Sequence, residues 1–230
     1  MRHCVVNVAV GGSYVRWQDS LRSSLRATGY QGDSVFWTDG YPTKDCPPHS
    51  DVPYAFKVHA IEAAISKGYD TIIWADTSIW FRKPLAPIRE EIEREGYWLS
   101  CQGWSVGQWC SDEALPLLGI TREEAWDIPM VAATFFGVSI LHPAGKELFD
   151  RYAAHCRDGS FKGAWRLEGV DDDVIANSPP HTVLGHRHDQ TALSVVAHKM
   201  GIKVYWPPCR FAYHKEPQDD IVIAVAGGKD

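Results

Sequence analysis

Asp76 and Ser78 stand two residues apart at the end of a run, Thr71-Ile72-Ile73-Trp74-Ala75, that reads as a buried strand. In an open α/β sheet, ligands gather beyond the carboxyl ends of the strands. A carboxylate followed two positions later by a hydroxyl offers two hard oxygens to a divalent cation and its phosphates. The plain alternative is a turn in which Asp76 caps backbone amides. Lys57 lies on the helix predicted just before that strand, one turn ahead of Ile61. It could reach a phosphate as a point charge, or snorkel at the surface.

Three further groups carry chemistry. His186-Arg187-His188-Asp189-Gln190 is a dense polar cluster at a predicted helix N-terminus, a position that favours anions and developing negative charge. Asp189 is expected to cap that helix, and a carboxylate beside the Gln190 amide could orient or deprotonate a hydroxyl. His214-Lys215 follows an aromatic strand end; a neutral imidazole suits Mn²⁺, and the ammonium suits phosphate. Asp171-Asp172-Asp173 reads as a solvated acidic run and not as a metal site. The Gly11-Gly12-Ser13 turn lacks the spacing of a dinucleotide or P-loop fingerprint, and no G-x-S-x-G elbow occurs.

The elements that must position these residues follow from periodicity. Residues 5–10 form a strand running into the Gly11-Gly12 turn. Trp17, Leu21 and Leu25 mark a helix stopped near Gly29, and residues 34–38 a second strand. Residues 43–53, rich in Pro, Asp and Ser, form a loop. A helix over 54–67, ended by Gly68, leads into the strand at 71–75. Further on, the pattern predicts a helix at 88–95, a strand at 97–101 and an aromatic-tipped loop at 102–113. A strand at 131–141 and a helix from Pro143 to about 155 follow. Residues 158–188 read as a long binding loop, 189–200 as a helix and 203–206 as a strand; the apolar run 221–226 has no derivable place. Alternating strands and helices predict an α/β fold, a Rossmann-like, mainly parallel sheet flanked by helices in a single domain.

Bulk composition narrows the class. The chain of 230 residues is long enough for one large domain. A net charge of -6 disfavours non-specific nucleic-acid binding. Its six cysteines form no C-x-x-C pair, which fits free thiols and a cytoplasmic setting. No apolar run approaches the ~18 residues of a membrane helix, and the N-terminus lacks a secretory pattern, so no membrane partner is expected.

In their order along the chain, these pieces resemble the glycosyltransferase A fold, and within it the glycogenin-like family of nucleotide-sugar transferases. The resemblance runs from about residue 4 to 217. YDTIIWADTSIW is similar to the family's strand and D-x-D element, and FFGVSILHP to its middle strand with a glycine, Gly137, near the sugar. HDQTALSVVAHKMGIKVYWPP is similar to its D-Q helix, and YHKEP to its C-terminal metal-binding His and Lys. The resemblance implies a nucleotide-binding half at about 1–100, an acceptor-side half at about 101–217 and a tail at 218–230. It implies that Val10, Gly11, Lys57, Asp76, Gly137, His188 and Lys215 hold the nucleotide sugar. Asp76, Ser78 and His214 would hold Mn²⁺ or Mg²⁺, and Asp189 and Gln190 would face donor sugar and acceptor. Ser78 replaces the second acid of D-x-D, and Glu216, not a Pro-Trp pair, follows Lys215. The expected reaction is transfer of a hexose from a UDP-sugar type donor to a hydroxyl on a glycan, a small molecule or a hydroxylated DNA base. A nucleotidyltransferase and a non-catalytic sugar-binding module are the alternatives.

Overall fold

A computed structural model describes residues 1–206, 210–213 and 221–225. The opening half alternates strand and helix: β1 (His3–Ala9), α1 (Gly12–Ala27), β2 (Asp33–Thr38), α2 (Ala55–Ser66) and β3 (Thr71–Ala75). Then come β4 (Ile79–Phe81), α3 (Ala86–Glu95), β5 (Tyr97–Trp98), β6 (Cys101–Ser105) and a 3-10 turn at Val106–Trp109. Helices α4 (Ala114–Leu118) and α5 (Arg122–Asp127) lead to β7 (Pro129–Val131), β8 (Phe135–Ser139) and α6 (Pro143–Asp158). The chain continues through α7 (Asp172–Asn177) and α8 (His188–Lys199) to β9 (Phe211–Tyr213) and β10 (Ile223–Val225).

The central sheet has the order β2-β1-β3-β8-β5. β1 pairs in parallel with both β2 and β3, while β8 runs antiparallel to β3 and β5. The sheet is therefore mixed but mainly parallel, with helices on both faces, as expected. The period of two along each strand divides the core. Cys4, Val6, Ile72 and Trp74 face α2, α6 and α8, where Val58, Ile61, Leu148 and Leu193 meet them. Val5, Ile73 and Ala75 face the opposite way, onto Leu21 and Leu25 of α1 and Ile88 and Ile92 of α3. The helices leaving β1 and β2, α1 and α2, thus cover opposite faces, and a crevice opens at the carboxyl ends of β1 and β3.

A buried amide network holds those ends in place. Asn7 donates to the Ala75 carbonyl at 2.7 Å, and Gln18 of α1 donates to Asn7 Oδ1 at 2.7 Å and to the Trp37 carbonyl at 2.9 Å. One helix side chain therefore ties together the ends of all three parallel strands.

The long loop expected at 158–188 contains the helix α7, and other sequence expectations also need correction. The strand expected at 97–101 divides into β5 and β6, which lie in different sheets. The aromatic-tipped loop at 102–113 is a short β6–β7 ladder followed by the 3-10 turn, with Trp109 fully buried against Trp104. The strand expected at 131–141 breaks at residues 132–134. Residues 203–206 make only an isolated bridge, Ser100 to Tyr205. The unplaced apolar run includes β10, which pairs antiparallel with β4, a strand absent from the sequence expectations.

Candidate functional site

Lys57, Asp76 and Asp189 come from α2, the tip of β3 and the first turn of α8, and they meet. The Lys57 ammonium lies 2.9 Å from Asp189 Oδ2 and 3.4 Å from Asp76 Oδ1. It also donates to the Ala133 carbonyl at 2.9 Å. That carbonyl belongs to the break at 132–134, where Thr134 accepts the Asp76 amide at 2.8 Å and the Ser100 carbonyl takes the Ala132 amide at 2.7 Å. The strand breaks because its carbonyls serve the cluster and a loop instead of the ladder.

Lys57 is 2% exposed. The rings of Tyr54 and Trp74 cover it, 4.9 and 5.4 Å from the ammonium to each ring centre. With the two carboxylates and the carbonyl, they enclose the charge, so Lys57 is neither a snorkelling lysine nor an open phosphate hook. The Trp74 indole N–H donates to Asp76 Oδ1 at 2.7 Å, which fixes that carboxylate.

Two carboxylates share one ammonium. Burial raises the pKa of both Asp76 and Asp189, against the opposing pull of Lys57. For Lys57, burial acts to lower the pKa, but the charges of Asp189 and Asp76 reverse it and the net direction is up. Neither Asp189 Oδ2 nor the buried Tyr152 hydroxyl makes an aligned hydrogen bond, but the two lie near enough for the hydroxyl to turn its proton to Asp189. Burial first, then the Asp189 charge, raises the Tyr152 pKa well above the phenol value, so its proton stays on. Lone pairs and a negative charge are in surplus, and hydroxyl donors or a cation would complete the cluster.

The position of Asp189 differs from the expected cap. Arg187 occupies the N-cap position with no side-chain cap bond, and Asp189 sits two residues past it in the first turn, directed at Lys57. The amides of Asp189 and Gln190 favour its charged form. Gln190 donates to Gln102 of β6, its place set by a hydrogen-bonded pair and not by a cavity. His188 gives its Nδ1 to the Phe161 carbonyl at 2.9 Å and packs its ring on Tyr54 and Trp165. Burial lowers its pKa to about 4.

Beside the cluster, at the carboxyl ends of β1 and β3, lies a cavity of about 360 Å³. Val8 and Val10 form one edge, with Tyr14 and Trp17 of α1. Tyr41, His49 and Tyr54 of the long β2–α2 connection form another. Trp74, Asp76, Thr77 and Ser78 close it, with Phe56 at the base of α2. The turn carrying Ser78 is held by the Ile79 amide on the Asp76 carbonyl at 3.0 Å. Gly11 adjoins Val10 with φ of 73°, and a side chain there would meet nothing within 4 Å, so its reason is backbone conformation at an open helix start.

Of the sequence-derived residues, Val10, Asp76 and Ser78 line the cavity, and Lys57 and Asp189 join Asp76 in the cluster. Gly137 lies elsewhere: it is in the middle of β8, paired with Ile73 and Trp98, and a Cβ would come within 2.2 Å of Ile92 Cδ1. Close packing of α3 on the sheet accounts for that glycine. His214 and Lys215 lie outside the described residues. Asp76 and Ser78 alone give two oxygen donors, and among the described residues no group of three His, Cys, Asp or Glu could hold a metal. No helix among the described residues is long and apolar enough to cross a membrane.

Sequence reasoning missed Tyr41, His49, Tyr54 and Tyr152. One signal was present: α2 is apolar on nearly every side, which marks a buried helix. A single lysine inside such a helix must find buried acids.

No family model matches the chain, and no curated protein matches it in sequence. Fold and site together define a mixed α/β domain with a buried Lys–Asp–Asp cluster beside an aromatic cavity at its strand ends.

Proposed function

We propose that this protein is a glycosyltransferase that moves a hexose from a nucleoside diphosphate sugar, of the UDP-sugar type, to an acceptor hydroxyl. One observation carries the reading. Asp76 and Asp189, 113 positions apart in sequence, share the Lys57 ammonium beside a cavity at the carboxyl ends of parallel strands. Surplus carboxylate oxygens suit a ligand rich in hydroxyls, and flat aromatic walls suit a base and a sugar ring.

In this reading Asp76 receives ribose or sugar hydroxyls through the oxygen that Trp74 and Lys57 leave free. Asp189 opposes the positive charge that develops at the anomeric carbon in an oxocarbenium-like state. Lys57 favours the ionised form of both carboxylates and fixes them in place, so little reorganisation is needed when charge develops. Tyr54, whose ring covers Lys57, and His188, whose ring packs on Tyr54, both stand in left-handed backbone, at φ of 60° and 50°. Such strain in non-glycine residues gathers at ligand sites, and these rings yield when the sugar reaches Asp189. Mn²⁺ or Mg²⁺ would be held by Asp76, Ser78 and, from outside the described residues, His214. When bound, such an ion neutralises charge on the departing diphosphate.

The test is a panel of nucleotide sugars, with and without Mn²⁺, assayed for released nucleoside diphosphate. One donor is expected to release diphosphate slowly, with loss on the order of 10²-fold in Asp76→Asn. Pyrophosphate as the product would instead favour a nucleotidyltransferase, and binding without turnover a sugar-binding module.

A further inference from the structure

The cavity has two chemically different walls. Asp76, Thr77 and Ser78 form a wall of acid and hydroxyls. Tyr41 and His49, which line the cavity from the β2–α2 connection, carry no charge at neutral pH and bear donors. The second wall is rigidly built. The Tyr41 hydroxyl accepts the His49 amide at 3.1 Å, which leaves its own proton free to donate. His49 Nδ1 accepts the Tyr54 amide at 3.1 Å. That bond requires an unprotonated Nδ1, so the ring proton sits on Nε2. Edge contact with Tyr54 at 4.7 Å and a tilted contact with Phe56 at 5.9 Å hold the ring in place. Burial, then the nearby Lys57 charge, lowers the His49 pKa, so the imidazole is neutral at neutral pH.

We infer that His49, with Tyr41, is the base-reading wall of the site, and that its Nε2–H selects a pyrimidine with a keto oxygen at C4 over one with an amino group there. The inference rests on the nucleotide-sugar reading and adds to it the residue that chooses the base. At that position a keto oxygen accepts what this wall offers, whereas an amino group would set donor against donor. The acid wall then takes the hydroxyl and diphosphate end of the same ligand.

The experiment is calorimetric titration of the whole protein with UDP, CDP and UMP, in the wild type, His49→Ala and Tyr41→Phe. Wild type is expected to prefer UDP over CDP by at least tenfold. His49→Ala reduces that preference to within about twofold but leaves the UDP-to-UMP ratio unchanged, because the phosphate end is untouched. Tyr41→Phe, which also breaks the bond to the His49 amide, shifts the preference in the same direction. A preference that survives His49→Ala, with UDP and CDP weakened equally, overturns the assignment and leaves His49 a purely structural wall. Failure of all three nucleotides to bind the wild type removes the nucleotide-sugar reading itself, and the base-reading role with it.

Discussion

Replacing Lys57 by Met removes one positive charge from a dry pocket and leaves two carboxylates facing each other. The ammonium has three partners: Asp189 at 2.9 Å, Asp76 at 3.4 Å and the Ala133 carbonyl at 2.9 Å. Removing one partner of a buried ion pair costs about 3–5 kcal/mol, and the orphaned carbonyl adds about 1–3 kcal/mol. That is a large share of the ~5–15 kcal/mol that holds a domain folded. Protonation limits the loss. Both carboxyls already have raised pKa values in the presence of Lys57, and without it they rise further. A carboxyl whose folded pKa lies above its unfolded value contributes stability at low pH, lost as pH climbs through the folded pKa. Lys57→Met is therefore least damaging near pH 5 and most damaging near pH 8, with the difference set at about 1.4 kcal/mol per unit of added shift. Urea unfolding from pH 5 to 8 reads this directly. Adding Asp189→Asn removes one of the unpaired charges and recovers part of the loss. A cost below about 1 kcal/mol, equal at every pH, would refute the shared-ammonium geometry.

Two more predictions follow from buried groups. His186 and His188 titrate at about 4 because burial opposes their charged forms. His186 is further fixed neutral, its Nδ1 accepting the Ser111 amide at 3.3 Å and its Nε2 donating to the Ser160 carbonyl at 2.9 Å. Their folded pKa lies below the unfolded value, so stability is full above about pH 6.5 and falls towards pH 4 by about 3 kcal/mol per histidine. Urea midpoints that stay constant between pH 7 and 4.5 would contradict this. Gly137→Ala overpacks the α3–sheet contact at Ile92 and is expected to cost about 1–3 kcal/mol in thermal or urea unfolding. Nucleotide-sugar affinity is expected to be unchanged in that variant, and a selective loss of affinity with intact stability would return Gly137 to the site.

Much of the first half was legible because its signals are local. The unbroken apolar run at 71–75 and the helix before it, ended by Gly68 at φ of 80°, match β3 and α2 closely. Lys57, Asp76 and Asp189 could be nominated for the same reason, since each sits at the start or tip of a readable element. Partners were not legible, because they depend on tertiary approach. The Ala133 carbonyl reaches Lys57 only because a strand breaks at 132–134, and apolar Ala-Ala-Thr gives no sign of a break. Trp109 looked like a loop tip because it follows Gly103 and Gly107. A capping box between Ser105 and Gln108 instead turns it inward. The β4 strand, three residues long, is too short for any alternation to show. Tyr41 and His49 occupy an irregular connection where spacing carries no orientation, so their place in the cavity comes only from the folded chain.

The central claim is that Asp76 and Asp189 act as one unit on one ligand. A double-mutant cycle on donor turnover, comparing Asp76→Asn, Asp189→Asn and the double variant, tests it most directly. Residues that serve a single reacting centre through a shared cation are strongly non-additive, so the double variant is expected to turn over little more slowly than the worse single variant. Independent, fully additive losses, or unchanged turnover in either single variant, would contradict the claim.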